Sequence, residues 1–138
     1  MGIPNYAPSL ESELTKPFYD GLEQGELRIT ANARTGEWIW YPAEVTPGDS
    51  EAELVWKPVS PDGVVYTFTT VVRSLLPGDH SAETPFTVIL FESDDAPGAR
   101  IPGLLINEGD REPQCGMRVR FQALKVGDHY IAAFEPID

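Results

Sequence analysis

The sequence predicts a mostly β protein in which one short N-terminal helix and a small hairpin precede a closed barrel. From residue 53 onward, segments rich in β-branched and aromatic residues recur between Gly, Pro and Asp. The 13 prolines and 12 glycines interrupt the chain often enough to keep each element short. A chain of 138 residues that is 41% hydrophobic is long enough for one compact domain with a single core.

The N-terminal helix is predicted within residues 15–30, which also contain a lead-in strand. Thr15 is a candidate N-cap, and a proline follows in the first turn. Phe18 and Leu22 are four residues apart, so they share one face of the helix. Gly25 is expected to end it. Residues 1–14 are predicted to be a loose N-terminal segment.

Residues 51–138 are predicted to form the barrel. In residues 64–72 the alternation of side chains predicts one face with Val65, Thr67, Thr69 and Val71, and the intervening residues on the other face. A closed five- to six-stranded barrel of the OB type accommodates this number of short strands and protects their edges. The candidate strands are "ELVWKPV", "VVYTFTTVVRS", "FTVILFES", "RIPGLLIN", "MRVRFQAL" and "HYIAAFEP".

Residues 31–50 have the outline of a zinc ribbon, with two tight turns separated by the apolar run "WIWYP". In a zinc ribbon each turn presents two cysteines to the metal. Here those positions are Asn32, Thr35, Thr46 and Asp49, a set of mostly neutral oxygen donors that binds zinc poorly. We therefore expect no metal at this hairpin, and we expect the same side chains to hold the turns by hydrogen bonds.

The charge of the chain restricts its partners. It carries 22 acidic against 10 basic residues, a net charge of -12, and its nearest approach to a basic run is "RVR" at residues 118–120. Such a chain repels phosphate backbones, so the sequence argues against a nucleic-acid partner. No segment is apolar enough to span a membrane or to resemble a signal peptide, which predicts a cytoplasmic protein without a membrane partner. The single cysteine, Cys115, excludes an internal disulfide and is expected to be passive.

The tripeptide "GDH" occurs twice and contains both histidines, His80 and His129. Together with Glu83 they could supply a two-histidine carboxylate metal site. The alternative is ordinary turn chemistry, which Gly-Asp favours, and we adopt that interpretation. An acid and base pair can also be drawn from Asp79, His80 and Glu83, but no nucleophile motif accompanies it. No catalytic residue is therefore assigned.

The candidate binding residues are aromatic side chains and two arginines. Phe18, Trp38 and Tyr41 could anchor a partner protein, since buried aromatics carry much of the energy of protein interfaces. The alternative is internal packing between the hairpin and the barrel. Arg73 and Arg100 could bind phosphate or carboxylate groups through their forked guanidinium groups, or they could simply be solvated on the surface.

Several of these segments together carry a family resemblance. In order and spacing, "KPFYDGLEQGEL", "TGEWIWYP", "TPGDS", "LVWKPVSPDGVVYTFTTVVR", "PFTVILFE", "RIPGLLIN", "GMRVRF" and "AAFEP" resemble the acyl-CoA-associated OB-fold proteins of domain of unknown function family 35. In that family an N-terminal helix and a rubredoxin-like zinc ribbon precede an OB barrel. This chain departs from the pattern at all four ribbon cysteines, and Val72 replaces a histidine often found there.

The resemblance implies a non-catalytic accessory subunit of an acyl-CoA-processing enzyme. The implied partner is a thiolase-superfamily thiolase or retro-aldolase, or a hotdog-fold hydratase, and acyl-CoA is a possible ligand of the complex. The net charge of -12 disfavours an autonomous site for the phosphates of coenzyme A. Two other hypotheses are a single-stranded nucleic-acid binder, which the OB type suggests, and a stand-alone enzyme.

Overall fold

The computed structural model describes residues 2–4 and 8–138. Three short strands form one antiparallel sheet, and five longer strands form a closed barrel. This architecture confirms the predicted fold class. In chain order the elements are α1 (Lys16–Glu23), β1 (Arg28–Asn32), β2 (Trp38–Ile39), β3 (Leu54–Pro58), β4 (Asp62–Val71), a 3-10 turn (Ser81–Glu83), β5 (Phe86–Ser93), β6 (Arg100–Leu105), β7 (Arg118–Val126) and β8 (His129–Pro136).

The barrel closes in the strand order β4-β5-β6-β8-β7, the arrangement of an OB-fold. Neighbouring strands are antiparallel except for β6 and β8, which pair in parallel. Side chains fill the interior, where the rings of Phe91 and Phe134 lie 4.3 Å apart between centroids. The barrel is therefore a packed core, and a ligand must bind outside it. Fully buried side chains of this core include Val65, Ile89, Phe91, Ile101, Val119 and Phe134.

The segment "ELVWKPV" lies in the small sheet, although the sequence analysis grouped it with the barrel strands. As β3 it pairs with β1 over five residues, with Trp56 opposite Thr30. The barrel accordingly has five strands, the lower of the two predicted numbers. Alternation predicts a strand but not its partner, because pairing depends on contacts remote in sequence. The domain boundary at residue 51 stays a prediction.

The predicted faces of β4 are wrong beyond Val65, because a β-bulge at Tyr66 shifts the register against β5. After the bulge Phe68 lies opposite the buried Ile89, whereas Thr69 lies opposite the half-buried Val88. Directly opposite residues share a face of the sheet. Phe68 therefore faces the barrel interior near its mouth, and Thr69 faces outward.

The helix α1 begins after Thr15, as predicted, although the Thr15 side chain makes no capping hydrogen bond. Phe18 and Leu22 are buried on one face, and α1 packs against β1 and β8. Gly25 has a φ of 75° directly beyond the end of the helix, a conformation that glycine adopts without steric cost. No helix in the described ranges is long and apolar enough to cross a membrane.

The predicted loose segment 1–14 lies partly outside the described residues. Within the part that is described, the amide of Gly2 donates a hydrogen bond of 2.8 Å to the carbonyl of Pro85. Pro4 and Pro8 border a cavity on the barrel surface. The N-terminal segment therefore runs along the outside of the barrel near the start of β5.

Candidate functional site

The first turn of the ribbon-like hairpin is held by Asn32. Its side-chain oxygen accepts hydrogen bonds from the backbone amides of Arg34 (2.8 Å) and Thr35 (3.2 Å). Its amide nitrogen lies 3.4 Å from a carboxylate oxygen of Asp49 in the second turn, and the Arg34 guanidinium lies 2.9 Å from the same oxygen. A hydrogen-bonded ion pair thus joins the two turns that four thiolates would join in a zinc ribbon.

The side chains at the other two ribbon positions, Thr46 and Thr35, also form hydrogen bonds with the backbone. The hydroxyl of Thr46 is buried and donates to the carbonyl of Ala52 at 2.8 Å. The hydroxyl of Thr35 accepts from the amide of Glu37 at 3.2 Å. In the described ranges no three His, Cys, Asp or Glu side chains are close enough to hold a metal ion. Each of the four positions therefore has a structural role that requires no metal.

We expect the purified protein to contain no stoichiometric zinc, because the turns are joined by hydrogen bonds and an ion pair. A mild chelator should leave the melting temperature unchanged, whereas a metal-folded ribbon unfolds when its zinc is removed. Elemental analysis after dialysis measures the metal content. About one zinc per chain, or a lower melting temperature in chelator, would contradict this account.

A cavity of about 430 Å³ lies between α1, the hairpin and the barrel wall, and we call it the aromatic groove. Its volume is in the range of small-molecule sites in proteins. Its lining is mainly apolar and comes from parts of the chain that are far apart in sequence. The side chains that form it include Phe18, Tyr19, Trp40 and Tyr41 on one side, and Val88, Leu104 and Ile131 of the barrel on the other.

The rings of the groove form a connected series. The Trp40 centroid lies 5.2 Å from that of Phe18 and 5.5 Å from that of Tyr41, distances at which aromatic rings attract each other. Phe18 is only 8% exposed and forms the floor, whereas Tyr41 is 61% exposed and forms the rim. Partial burial, with a smaller contribution from Tyr41, raises the pKa of Tyr19, so its phenol stays neutral and can donate a hydrogen bond. The groove therefore suits an apolar group with a polar end.

Of the aromatic candidates from the sequence, Phe18 and Tyr41 meet at the groove and Trp38 does not. Trp38 packs against the buried core, and the Lys57 ammonium lies 5.9 Å from its ring centroid. Trp40 lines the groove instead. Alternation along a strand would place Trp38 and Trp40 on the same side, but β2 ends at Ile39, so strand alternation does not govern Trp40.

The two candidate arginines lie at the barrel, away from the groove. The Arg100 Nε donates to Glu92 at 3.2 Å, and its guanidinium carbon lies 3.7 Å from the ring centroid of Tyr66. Arg73 lies in the loop directly after β4. Arg100 is thus engaged by a carboxylate and an aromatic face, which are the partners that a guanidinium group prefers.

The two arginines of "RVR" at residues 118–120 form ion pairs with carboxylates on the barrel surface. Arg118 makes two hydrogen bonds of 2.7 Å to Asp94, and Arg120 makes bonds of 2.7 and 3.2 Å to Asp62. These forked contacts hold the pKa of each carboxyl group below its usual range. Both arginines of "RVR" therefore have carboxylate partners within the chain.

Comparison with solved structures supports the fold. The structure "Ltp2-ChsH2(DUF35) aldolase" contains a similar chain with a TM-score of 0.79 and 19% identity, covering 94% of this chain and 98% of that one. A protein of unknown function from the DUF35 family of Sulfolobus solfataricus is similar with a TM-score of 0.60 and 10% identity, over 94% of this chain and 89% of that one. No curated protein matches the sequence.

Residues 56–123 match the family described as the C-terminal OB-fold domain of ChsH2. Over this range, which is just under half of the chain, the protein is similar to the DUF35 OB-fold family. The matched range begins in β3 and ends within β7, so it covers most of the barrel. The resemblance identified in the sequence is thus confirmed.

The two histidines of the chain border different cavities, which does not support the two-histidine carboxylate site. His80 lies in the loop between β4 and β5, where its Nδ1 meets the Glu83 carboxylate and its Nε2 lies 2.9 Å from the carbonyl oxygen of Pro77. His129 begins β8 directly after a turn in which Gly127 has a φ of 62°. Both "GDH" tripeptides are therefore turn segments, as the sequence analysis preferred.

The His80 contacts predict a dependence on pH. Hydrogen bonding to the Pro77 carbonyl, and then to Glu83, raises the pKa of His80, because both interactions favour the imidazolium. The stabilisation is fully present below the ordinary pKa of about 6.5 and is lost as pH rises through the raised value. In an NMR titration Glu83→Gln should lower the pKa of His80, whereas Glu112→Gln, at a site remote from the His80 loop in sequence, should not. Equal pKa values in the wild-type chain and Glu83→Gln would contradict this assignment.

Proposed function

We propose that this chain is a non-catalytic accessory subunit of an acyl-CoA-processing enzyme in the cytoplasm. The enzyme is a thiolase-superfamily thiolase or retro-aldolase, or a hotdog-fold hydratase. The observation that carries the proposal is the aromatic groove, which is open, apolar and rimmed by the exposed Tyr41. Exposed aromatics of this kind anchor protein interfaces.

The chemistry of the described side chains supports a binding role over a catalytic one. The ring nitrogens of His80 are directed to Glu83 and to a backbone carbonyl. Cys115 is exposed in a loop, where no residue of the described chain forms a base and nucleophile pair with it. A nucleophile needs such a base within hydrogen-bonding reach.

One of the similar structures gives a precedent for the proposed partnership, since it pairs a DUF35 protein named ChsH2 with Ltp2 in an aldolase. The similarity extends over 94% of this chain. We therefore propose an enzyme of related chemistry as the partner of this chain. The match of residues 56–123 to the ChsH2 OB-fold domain supports the same assignment.

Acyl-CoA would be a ligand of the complex and not of this chain alone. The apolar groove suits the end of an acyl chain or an apolar segment of the enzyme, and a neutral Tyr19 phenol can donate a hydrogen bond there. The phosphates of coenzyme A would be repelled by a net charge of -12. We therefore propose that the nucleotide part of the substrate stays on the enzyme.

The experiment that tests this proposal is co-expression of the tagged chain with each neighbouring open reading frame of thiolase or hydratase type. The proposal predicts a complex that survives gel filtration at physiological salt and that has a defined stoichiometry. Failure of every such enzyme to be retained would overturn it. Retention of a single-stranded oligonucleotide with sub-micromolar affinity would favour the nucleic-acid alternative instead.

A further inference from the structure

The strand β4 has an edge that is only partly paired. β7 pairs with β4 from Asp62 to Val64, and backbone bonds from Gly116 and Met117 extend this contact to Val65. From Tyr66 to Val71 the described part of the chain pairs β4 with β5 alone. In an antiparallel pair alternate residues direct their amide and carbonyl groups away from the partner strand. The outer half of β4 therefore presents unpaired backbone groups along its free edge.

Beyond the bulge at Tyr66, this edge, "YTFTTV" at residues 66–71, has no sequence feature that protects an exposed edge strand. It contains no charged residue and no proline, and it consists of β-branched and aromatic residues. An exposed segment with high β-propensity and without charge is an aggregation hazard. Stable natural proteins cover such edges, so this one requires an occupant.

Apolar side chains continue beyond the edge in the loop that follows it. In the loop after β4, Val72 is 75% exposed and Leu75 is 92% exposed. In the other direction Thr69 lies opposite Val88, which lines the groove. The edge and the loop therefore form one apolar surface, and β5 lies between β4 and the groove. Arg73 and Arg100, the two arginines predicted from the sequence, flank this region, since Arg73 follows the strand and Arg100 contacts Tyr66.

We propose that an extended segment of the partner enzyme adds to the free edge of β4 as an additional strand. The unpaired backbone groups of Tyr66–Val71 would bind the backbone of that segment, and its alternate apolar side chains would contact the loop residues Val72 and Leu75. This inference rests on the proposed function, because it names the surface through which the same enzyme docks.

Charge decides between an enzyme segment and a second copy of this chain. Two copies would each bring a net charge of -12 to the contact, and like charges oppose association. The loop after the edge also contains the acidic residues Asp79 and Glu83. The proposed segment of the partner enzyme is therefore apolar along its centre. Lysine or arginine residues flank it, because they complement an acidic surface.

The test is hydrogen exchange of the whole chain, alone and bound to the co-expressed enzyme. In the free chain, amides of Tyr66–Val71 that face the open edge should exchange much faster than those bonded to β5. In the complex the same amides should become protected, by about tenfold or more in exchange rate. Unchanged exchange at this strand in a complex that does form would overturn the edge proposal and leave the proposed function standing.

A matched pair of variants isolates the edge. Thr69→Lys adds a positive charge at an exposed position of the edge strand, and Ser50→Lys adds the same charge at an exposed turn position of the hairpin. Thr69→Lys should weaken binding of the enzyme by about tenfold or more, whereas Ser50→Lys should leave it unchanged. Thermal melting checks that both variants stay folded. Affinity of Thr69→Lys equal to that of the control variant and the wild-type chain would contradict the proposal.

The remaining outcomes also decide the matter. If the isolated chain is a dimer by sedimentation and its edge amides are already protected, a second copy is the occupant and the proposal is wrong. If no neighbouring enzyme binds the chain, the proposed function fails, and the edge proposal fails with it.

Discussion

Phe134→Ala is expected to lower the free energy of unfolding by about 3–5 kcal/mol. Phe134 is fully buried, and its ring centroid lies 4.3 Å from that of Phe91 and 6.0 Å from that of Phe121. It also packs against Gly103, where an added Cβ would lie 2.3 Å from the Phe134 ring. Removing the ring leaves a cavity that this closed barrel cannot fill by a small movement.

Urea unfolding measures this loss, with Phe68→Ala as the control. Phe68 faces the barrel mouth and is partly exposed, so its truncation removes less buried area and should cost well under half as much. The loss expected for Phe134→Ala would be a substantial fraction of the roughly 5–15 kcal/mol of a natural domain. Equal losses in the two variants would show that the barrel core is not centred on Phe134.

Tyr41→Ala is expected to weaken binding of the enzyme by about 2 kcal/mol or more, roughly thirtyfold in the dissociation constant. Tyr41 forms the exposed rim of the aromatic groove, and its ring packs edge to face on Trp40 at 5.5 Å. A partner that covers the groove must bury this ring. Because Tyr41 is exposed in the free chain, its removal should leave the melting temperature of the isolated protein nearly unchanged.

Val45→Ala is the matched control for Tyr41→Ala. Val45 is 60% exposed and belongs to the same hairpin, but it does not line the groove. Titration calorimetry with the purified enzyme should show a loss of affinity for Tyr41→Ala alone. A similar loss for both variants would mean that the hairpin acts as a whole. No loss for either variant would remove the groove from the interface.

The features that sequence predicted correctly depend on local chemistry. The helix follows from Phe18 and Leu22 on one face and from Gly25, whose positive φ lies just beyond the helix end. The hydrogen-bonded first turn of the hairpin follows from the ability of Asn32 to accept hydrogen bonds from nearby amides. Each of these features depends on residues that are close together in the chain, so it can be predicted from the sequence alone.

The features that sequence missed depend on remote contacts. The pairing of β3 with β1 joins Trp56 to Thr30, and no pattern within either strand specifies that partner. The bulge at Tyr66 carries no glycine or proline to indicate it, although it reverses the faces of the following residues. Trp40 was missed as a groove residue because its position depends on where β2 ends. The open edge of β4 appears only once the strand order is known.

The measurement that tests the accessory role most directly is acyl-CoA turnover by the neighbouring enzyme alone, by this chain alone and by their complex. The accessory role predicts no turnover by this chain, and turnover by the complex that exceeds that of the enzyme alone. Turnover by the isolated chain at an ordinary enzymatic rate, about 1 per second or more, would contradict it. Equal activity of the enzyme with and without this chain would contradict it as well.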